Sequence, residues 1–151
     1  MKPGAASPLE AQAGILLGLS RRLGGEGFLD FEFNKRISLS PAAKLLGGKA
    51  ECYCDLFFEN SGLDIECQGK LVHDNESSFI SDFNRSAALE EMGINVLFAS
   101  HEILSSPRRF DAFAGLVAKK LNIARPKQTD THAKAATKLR AELFSDWRRL
   151  F

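Results

Sequence analysis

Two short segments of alternating polar and apolar residues, separated by a three-residue turn, constrain the fold of this chain more than any other feature. The segments are ECYCDLFFE (51–59) and LDIECQGKLV (63–72), and the residues NSG between them favour a turn. Alternation of this kind is typical of β-strands, and two strands joined by a short turn form an antiparallel hairpin. The sequence therefore predicts an antiparallel hairpin within residues 51–72.

Alternation along each strand divides the hairpin side chains between two faces. One face carries small or apolar groups, including all three cysteines, and is expected to pack against a helix. The other face carries polar groups: Glu51, Tyr53, Asp55, Asp64, Glu66, Gln68 and Lys70. The hairpin therefore concentrates chemically competent side chains on one side of the predicted sheet.

Asp55 and Glu66 are expected to converge across the paired strands. Neighbouring carboxylates repel each other unless a cation lies between them, and a hard divalent cation such as Mg²⁺ prefers oxygen ligands. Gln68 follows on the same face and can orient a water molecule by hydrogen bonding, whereas Lys70 can in addition stabilise developing negative charge. Carboxylates on the solvated face of an ordinary strand are an equally good interpretation from these residues alone.

The remaining periodicity predicts a mixed α/β domain with one sheet flanked by helices. Ser7 is placed to cap the first helix, and the pair Gly24–Gly25 to end it. Residues 27–40 predict a strand or extended segment, and the apolar run 94–100 predicts a strand buried on both faces. The predicted helices are 9–23, 41–48, 75–93, 107–121 and 133–151.

Composition and charge indicate a globular protein of ordinary size. The chain has 151 residues, of which 44% are hydrophobic and 26% charged, with a net charge of +1. Residues 125–151 hold 7 Lys/Arg against 3 Asp/Glu, whereas residues 1–124 hold 13 against 16. We therefore expect an α/β domain over 1–124, followed by a basic linker and an amphipathic C-terminal helix over 125–151. The basic tail fits a phosphate-binding arm and a solvated surface equally well.

The number of cysteines and the character of the N-terminal residues indicate the cellular compartment. Three cysteines are an odd number, and residues 1–8 lack the apolar core of a secretory signal. No apolar run approaches the ~20 residues of a membrane helix. We expect a reduced, cytoplasmic protein with no membrane partner.

The segments SPLE, CDLFFENSGLDIECQGKLVH and DFNRSAALEEMGINVLFAS together resemble the endonuclease-like domain family related to very-short-patch repair endonucleases. That family belongs to the PD-(D/E)XK restriction-endonuclease-like superfamily, and the resemblance covers roughly Ser7 to Leu121. It implies a restriction-endonuclease-like α/β fold, whose central mixed sheet contains an antiparallel hairpin flanked by helices. It also implies Mg²⁺- or Mn²⁺-dependent hydrolysis of DNA phosphodiester bonds, in DNA repair or restriction.

The resemblance also implies roles for particular residues. Asp55 and Glu66 would bind the metal, with Glu10 of the first helix supporting the metal or its water. His73 would lie near the scissile phosphate, and Arg85 would pair with Asp82 or contact phosphate. A further match falls on Gly93 and Val96, in the glycine-and-valine pattern before the last strand.

Two departures from the family pattern fall on the second hairpin strand. Cys67 replaces an aromatic residue, which affects packing. Gln68 replaces an acid, or the lysine of the wider superfamily motif, and so removes either a ligand or a cation. Lys70, on the same face, partly compensates for this loss.

Two alternatives to an active nuclease follow from the same residues. Gln68, the near-neutral charge and the basic tail also fit an inactive nucleic-acid-binding or interaction module that kept the fold. Separately, the apolar positions Leu139, Leu143 and Trp147 are spaced for a helix that could mediate a homodimer.

Overall fold

The computed structural model describes residues 7–68 and 76–145, with only the backbone described for 76–80. The chain divides into two compact units. The first, the sheet unit, comprises Met1–Ala11 and Asp30–His101. The second, the helical unit, comprises Gln12–Leu29 and Glu102–Phe151. The predicted boundary between residues 124 and 125 stays a prediction.

Four strands form one mixed sheet in the order β1-β2-β3-β4. The strands are β1 (Glu32–Ser38), β2 (Glu51–Phe58), β3 (Leu63–Gln68) and β4 (Asn95–Ser100). β1, β2 and β3 are antiparallel to their neighbours, whereas β4 runs parallel to β3. The predicted hairpin is therefore confirmed, and so is the mixed α/β class with one sheet flanked by helices.

The α-helices of the described residues are α1 (Pro8–Gly18), α2 (Pro41–Gly47), α3 (Glu76–Glu91), α4 (His101–Ser105), α5 (Pro107–Leu121) and α6 (Asp130–Leu143). The predicted bounds of α5 are confirmed, and α2 ends at Gly47, one residue before its predicted end. Ser40 and Ser106 cap the first turns of these helices, and a left-handed residue follows each. α1 is shorter than predicted, since a separate 3₁₀ turn occupies Arg21–Leu23. α6 begins three residues before the predicted start, because Thr129 caps it.

The regular alternation predicted for β2 is interrupted at Asp55. Cys52, Cys54 and Phe57 all belong to one buried cluster, although strict alternation would place Phe57 on the opposite face from Cys54. The register of β1 against β2 places Asn34 opposite Asp55, and Asn34 has a left-handed φ of 52°. Asparagine tolerates this conformation better than most residues. The pairing of β1 with β2 is therefore irregular at Asn34 and Asp55, where the candidate metal ligand lies.

Helix α3 connects β3 to the parallel strand β4 and helps to cover the sheet. Ala88 and Leu89 of α3 pack with Cys52, Cys54 and other members of the buried cluster. The apolar spacing of residues 75–93 places Phe83 on an apolar face of the predicted helix, but Phe83 is 62% exposed. The register of the helix explains this, because its buried positions lie at Ala88 and Leu89.

The prediction that β4 is buried on both faces was wrong. β4 is the last strand in the sheet order, and Phe98 is 44% exposed. Ala99 is its fully buried residue. A continuous apolar run is common to internal strands and to partly covered edge strands, so the sequence alone did not separate them.

The helical unit is built on α5 and α6. The buried side of α5 comprises Phe110, Phe113, Ala114, Val117 and Ala118. Gly24, with a φ of 102°, approaches α6 so closely that a Cβ there would lie 2.6 Å from the Ala135 carbonyl oxygen. No helix within residues 7–68 and 76–145 combines the length and apolar character that crossing a membrane requires.

Candidate active site

Asp55 and Glu66 lie side by side where β2 and β3 leave their regular ladder. The Asp55 backbone N–H donates to Glu66 Oε2 at 3.1 Å, and the Cys67 backbone N–H donates to Asp55 Oδ2 at 2.9 Å. Each carboxylate thus accepts a hydrogen bond from the other strand's backbone. These bonds hold the two side chains together at the end of the hairpin, as the sequence led us to expect.

Glu10 joins this pair from the first turn of α1. The helix begins with a cap in which Ser7 Oγ accepts the Glu10 backbone N–H at 3.2 Å. The Glu10 side chain is buried and forms a hydrogen bond with Asp55. Two carboxyl groups can be hydrogen-bonded to each other only if they share a proton, and otherwise they need a cation between them.

Asp64 is a fourth acid in the same region, and sequence reasoning did not single it out as a site residue. It is fully buried, and neither carboxylate oxygen accepts a well-formed hydrogen bond from the described residues. Its polar neighbour is the thiol of Cys54, a weak donor. A buried carboxyl without strong donors is costly to ionise, so Asp64 favours its neutral form.

Burial shifts the titration of these acids upward. Loss of hydration, which outweighs the opposing charge of Arg85 and is assisted by the charge of Asp55, raises the pKa of Asp64 to about 7. Burial likewise raises the pKa of Asp55, although the Cys67 N–H, Arg85 and Glu10 act in the opposite direction. Both acids therefore favour the protonated form more than exposed carboxyls do.

Arg85 of α3 is the cation that acts on this group of acids. Its Nη1 forms an ion pair with Glu66 Oε1, and its Nη2 donates to the Tyr53 carbonyl oxygen. Its charge also lowers the pKa of Asp55 and of Asp64. Arg85 is thus ion-paired with Glu66, and its charge acts on Asp55 and Asp64 only from a distance.

The oxygen-rich donor set suits a hard divalent cation, but its present arrangement is not that of a formed metal site. Among residues 7–68 and 76–145, no group of three or more His, Cys, Asp or Glu is placed to hold a metal ion. Glu66 faces Arg85 instead. Joint binding of a cation by Asp55 and Glu66 requires Arg85 to release Glu66.

The other predicted site residues are placed less completely. Gln68 is the last residue of β3, half-buried and paired in register with Ser100. Lys70 and His73 lie outside the described residues. The structure therefore brings together Glu10, Asp55, Glu66 and Arg85 of the predicted set, and adds Asp64.

The three cysteines are free thiols. Cys52 and Cys54 are buried and Cys67 is half-buried, in agreement with the prediction of small packed residues. Burial raises the pKa of Cys67 well above its ordinary value. Cys52 differs, because its hydrogen bond with Cys54, assisted by Arg85, lowers its pKa to about 7.

Comparison of the chain with protein-family models, with curated proteins and with solved structures finds no match in any of the three. The candidate site therefore has to be interpreted from its own residues and geometry.

Proposed function

We propose that this protein hydrolyses DNA phosphodiester bonds on a restriction-endonuclease-like fold, with a divalent cation, Mg²⁺ or Mn²⁺, at Asp55 and Glu66. One observation carries the proposal: the buried carboxylate of Glu66 and the half-buried carboxylate of Asp55 lie together on paired strands, with a third, Glu10, hydrogen-bonded to Asp55. Such a group is unfavourable to ionise unless a cation joins it. The mixed sheet with its antiparallel hairpin agrees with this fold.

Each residue has a definite task under this proposal. Asp55 and Glu66 bind the cation, and Glu10 supports it or its bound water from α1. A divalent cation at this position would polarise the phosphodiester and make a bound water more acidic. Gln68 positions the water, and Arg85, once released from Glu66, contacts a phosphate. Lys70 and His73 are proposed to lie near the scissile phosphate.

The direct test is cleavage of plasmid DNA and of mismatched and branched duplexes with Mg²⁺ or Mn²⁺. We expect Asp55→Asn and Glu66→Gln to reduce cleavage by at least about 100-fold while folding normally, because each removes a charged ligand without changing shape. Glu32→Gln, an exposed acid on β1, is the matched control. Absence of metal-dependent cleavage by the wild-type protein on every substrate would overturn the proposal.

The Glu66–Arg85 ion pair favours a second candidate function, an inactive nucleic-acid-binding module. In such a protein the guanidinium would replace the metal permanently and stabilise the fold. Its signature would be salt-dependent DNA binding that needs no divalent cation and survives Asp55→Asn. Metal-dependent cleavage lost in Asp55→Asn would exclude this alternative.

A further inference from the structure

A cavity of about 470 Å³ lies in the sheet unit, and one of the residues that line it is Arg85, the ion-pair partner of Glu66. It is enclosed by the turn after α2, by β2 and by one side of α3. This volume is within the roughly 300–1,000 Å³ typical of small-molecule sites. The roles assigned above to the acids do not use this cavity.

The charged groups of the cavity favour an anion. Lys49, an exposed residue after the α2 turn, and Arg85 both line it. Glu51 lines it too, but its carboxylate is already paired with Arg36. The cavity therefore offers Lys49 and, once it is released from Glu66, Arg85, whose guanidinium is well suited to the oxygens of a phosphate.

The remaining walls suit a flat ring. Tyr53 lines the cavity and is 47% exposed. Leu39 and Ala88 provide an apolar surface, and Ser81 provides a hydroxyl. Aromatic side chains of this kind stack on nucleobases at about 1–3 kcal/mol per base.

Arg85 connects the cavity with the acids. One nitrogen of its guanidinium pairs with Glu66 and the other donates to the Tyr53 carbonyl oxygen, and the same side chain lines the cavity. A phosphate held by Arg85 from the cavity side would therefore lie next to Asp55 and Glu66. The position fits a phosphate that is part of, or adjacent to, the reacting one.

We propose that this cavity binds one nucleoside monophosphate unit, with its phosphate at Lys49 and Arg85 and its base against Tyr53. The unit is either a free nucleotide or one nucleotide of a DNA strand. The inference rests on the proposed function for the choice of a nucleotide, and it names the part of the substrate that this side of the site would hold.

Cys52 provides a built-in reporter, because it lines the cavity and its pKa is lowered to about 7, whereas the pKa values of Cys54 and Cys67 are raised. Alkylation by iodoacetamide at pH 7.5 in EDTA, followed by peptide mass spectrometry, gives the reaction rate at Cys52. Deoxyadenosine monophosphate should slow this rate at concentrations at least about tenfold lower than deoxyadenosine or inorganic phosphate. Equilibrium dialysis with the labelled nucleotide measures the same binding directly.

Variants locate the binding site. Lys49→Gln and Tyr53→Leu should each weaken protection by about tenfold, because each removes one of the two recognition elements. Lys44→Gln, an exposed lysine of α2 outside the cavity lining, should leave protection unchanged. Protection by a single-stranded hexanucleotide would identify a strand nucleotide as the ligand, and protection by the free nucleotide alone would identify a free-nucleotide site.

Failure of this inference differs from failure of the proposed function. Equal protection by phosphate and nucleotide, unchanged protection in Lys49→Gln, or no binding in either assay would overturn the nucleotide site. DNA cleavage would then still stand on Asp55 and Glu66. Conversely, nucleotide binding in EDTA without any metal-dependent cleavage would retain the site and remove the nuclease.

Discussion

The two units treat their buried acids in opposite ways. In the helical unit, Glu26 is buried and its Oε1 is 2.7 Å from Arg125 Nε and 3.6 Å from Arg21 Nη1. In the sheet unit, Asp64 is buried without a well-formed hydrogen bond from the described residues, and Asp55 shares the charge of Arg85 with Glu66. Glu26 is neutralised by two guanidinium groups, whereas Asp64 and Asp55 have no ion-pair partner of their own among the described residues.

This difference separates stabilising charges from functional ones. A buried carboxylate with two guanidinium partners needs nothing further, so Glu26 has a structural role. Carboxylates that lack partners lower stability, and groups of this kind persist most often where they bind or react. His132 supports the structural interpretation of the helical unit, because its ring bonds both to the Gly25 carbonyl and to Arg21.

The largest expected effect on stability comes from replacing Glu26, the structural acid of the helical unit. Glu26→Ala should lower the free energy of unfolding by about 3 kcal/mol, because it removes the buried carboxylate with which two partly buried guanidinium groups pair. Asp111→Ala is the matched control, since Asp111 also pairs with Arg125, at 2.9 Å, but is 70% exposed. It should cost less than about 1 kcal/mol. Urea unfolding measures both, and equal costs would contradict the contrast between the units.

A smaller effect on stability, a gain rather than a loss, is expected when the buried acid Asp64 is replaced. The folded protein keeps a proton on Asp64 up to about pH 7, whereas the unfolded chain releases it near the ordinary value of 3.8. The stability that this retained proton contributes is therefore fully present below pH 3.8 and is lost as the pH rises toward 7. Between pH 5.5 and 8.5, Asp64→Asn should gain about 2 kcal/mol relative to wild type.

This measurement belongs in EDTA, so that no divalent cation neutralises the acids. Chemical unfolding at the two pH values supplies the difference, and Glu32→Gln, whose side chain is 59% exposed, controls for general charge effects. A difference between Asp64→Asn and wild type that does not change with pH would show that Asp64 ionises normally. The sheet unit would then lose its strongest sign of unsatisfied charge.

Local features of the fold were predictable because short-range rules decide them. The hairpin follows from alternation on either side of NSG, and α5 follows from the helical spacing of apolar residues such as Phe110, Phe113 and Val117. The proximity of Asp55 and Glu66 follows from the hairpin alone. These elements need no knowledge of the rest of the chain.

Long-range features were not predictable from the sequence. Arg85 reaches Glu66 only because α3 packs across the sheet, and no spacing rule connects the two residues. Glu26 and Arg125 are 99 positions apart. The burial of Asp64 depends on its register with Phe57 at the irregular point in β2. Tertiary packing determined each of these, and with them the electrostatics of the site.

The smallest effect tests how the acids are held in place, and it uses equivalent caps in the two units. Ser7 Oγ accepts the Glu10 N–H at the start of α1, and Thr129 Oγ1 accepts the His132 N–H at the start of α6. Ser7→Ala and Thr129→Ala should each cost about 1 kcal/mol of stability.

Only Ser7→Ala should also raise the Mg²⁺ concentration for half-maximal cleavage, by less than about tenfold, because it loosens Glu10 beside Asp55. Equal metal dependence in both variants would show that the position of Glu10 does not affect the metal, and Glu10 would then belong with the structural acids.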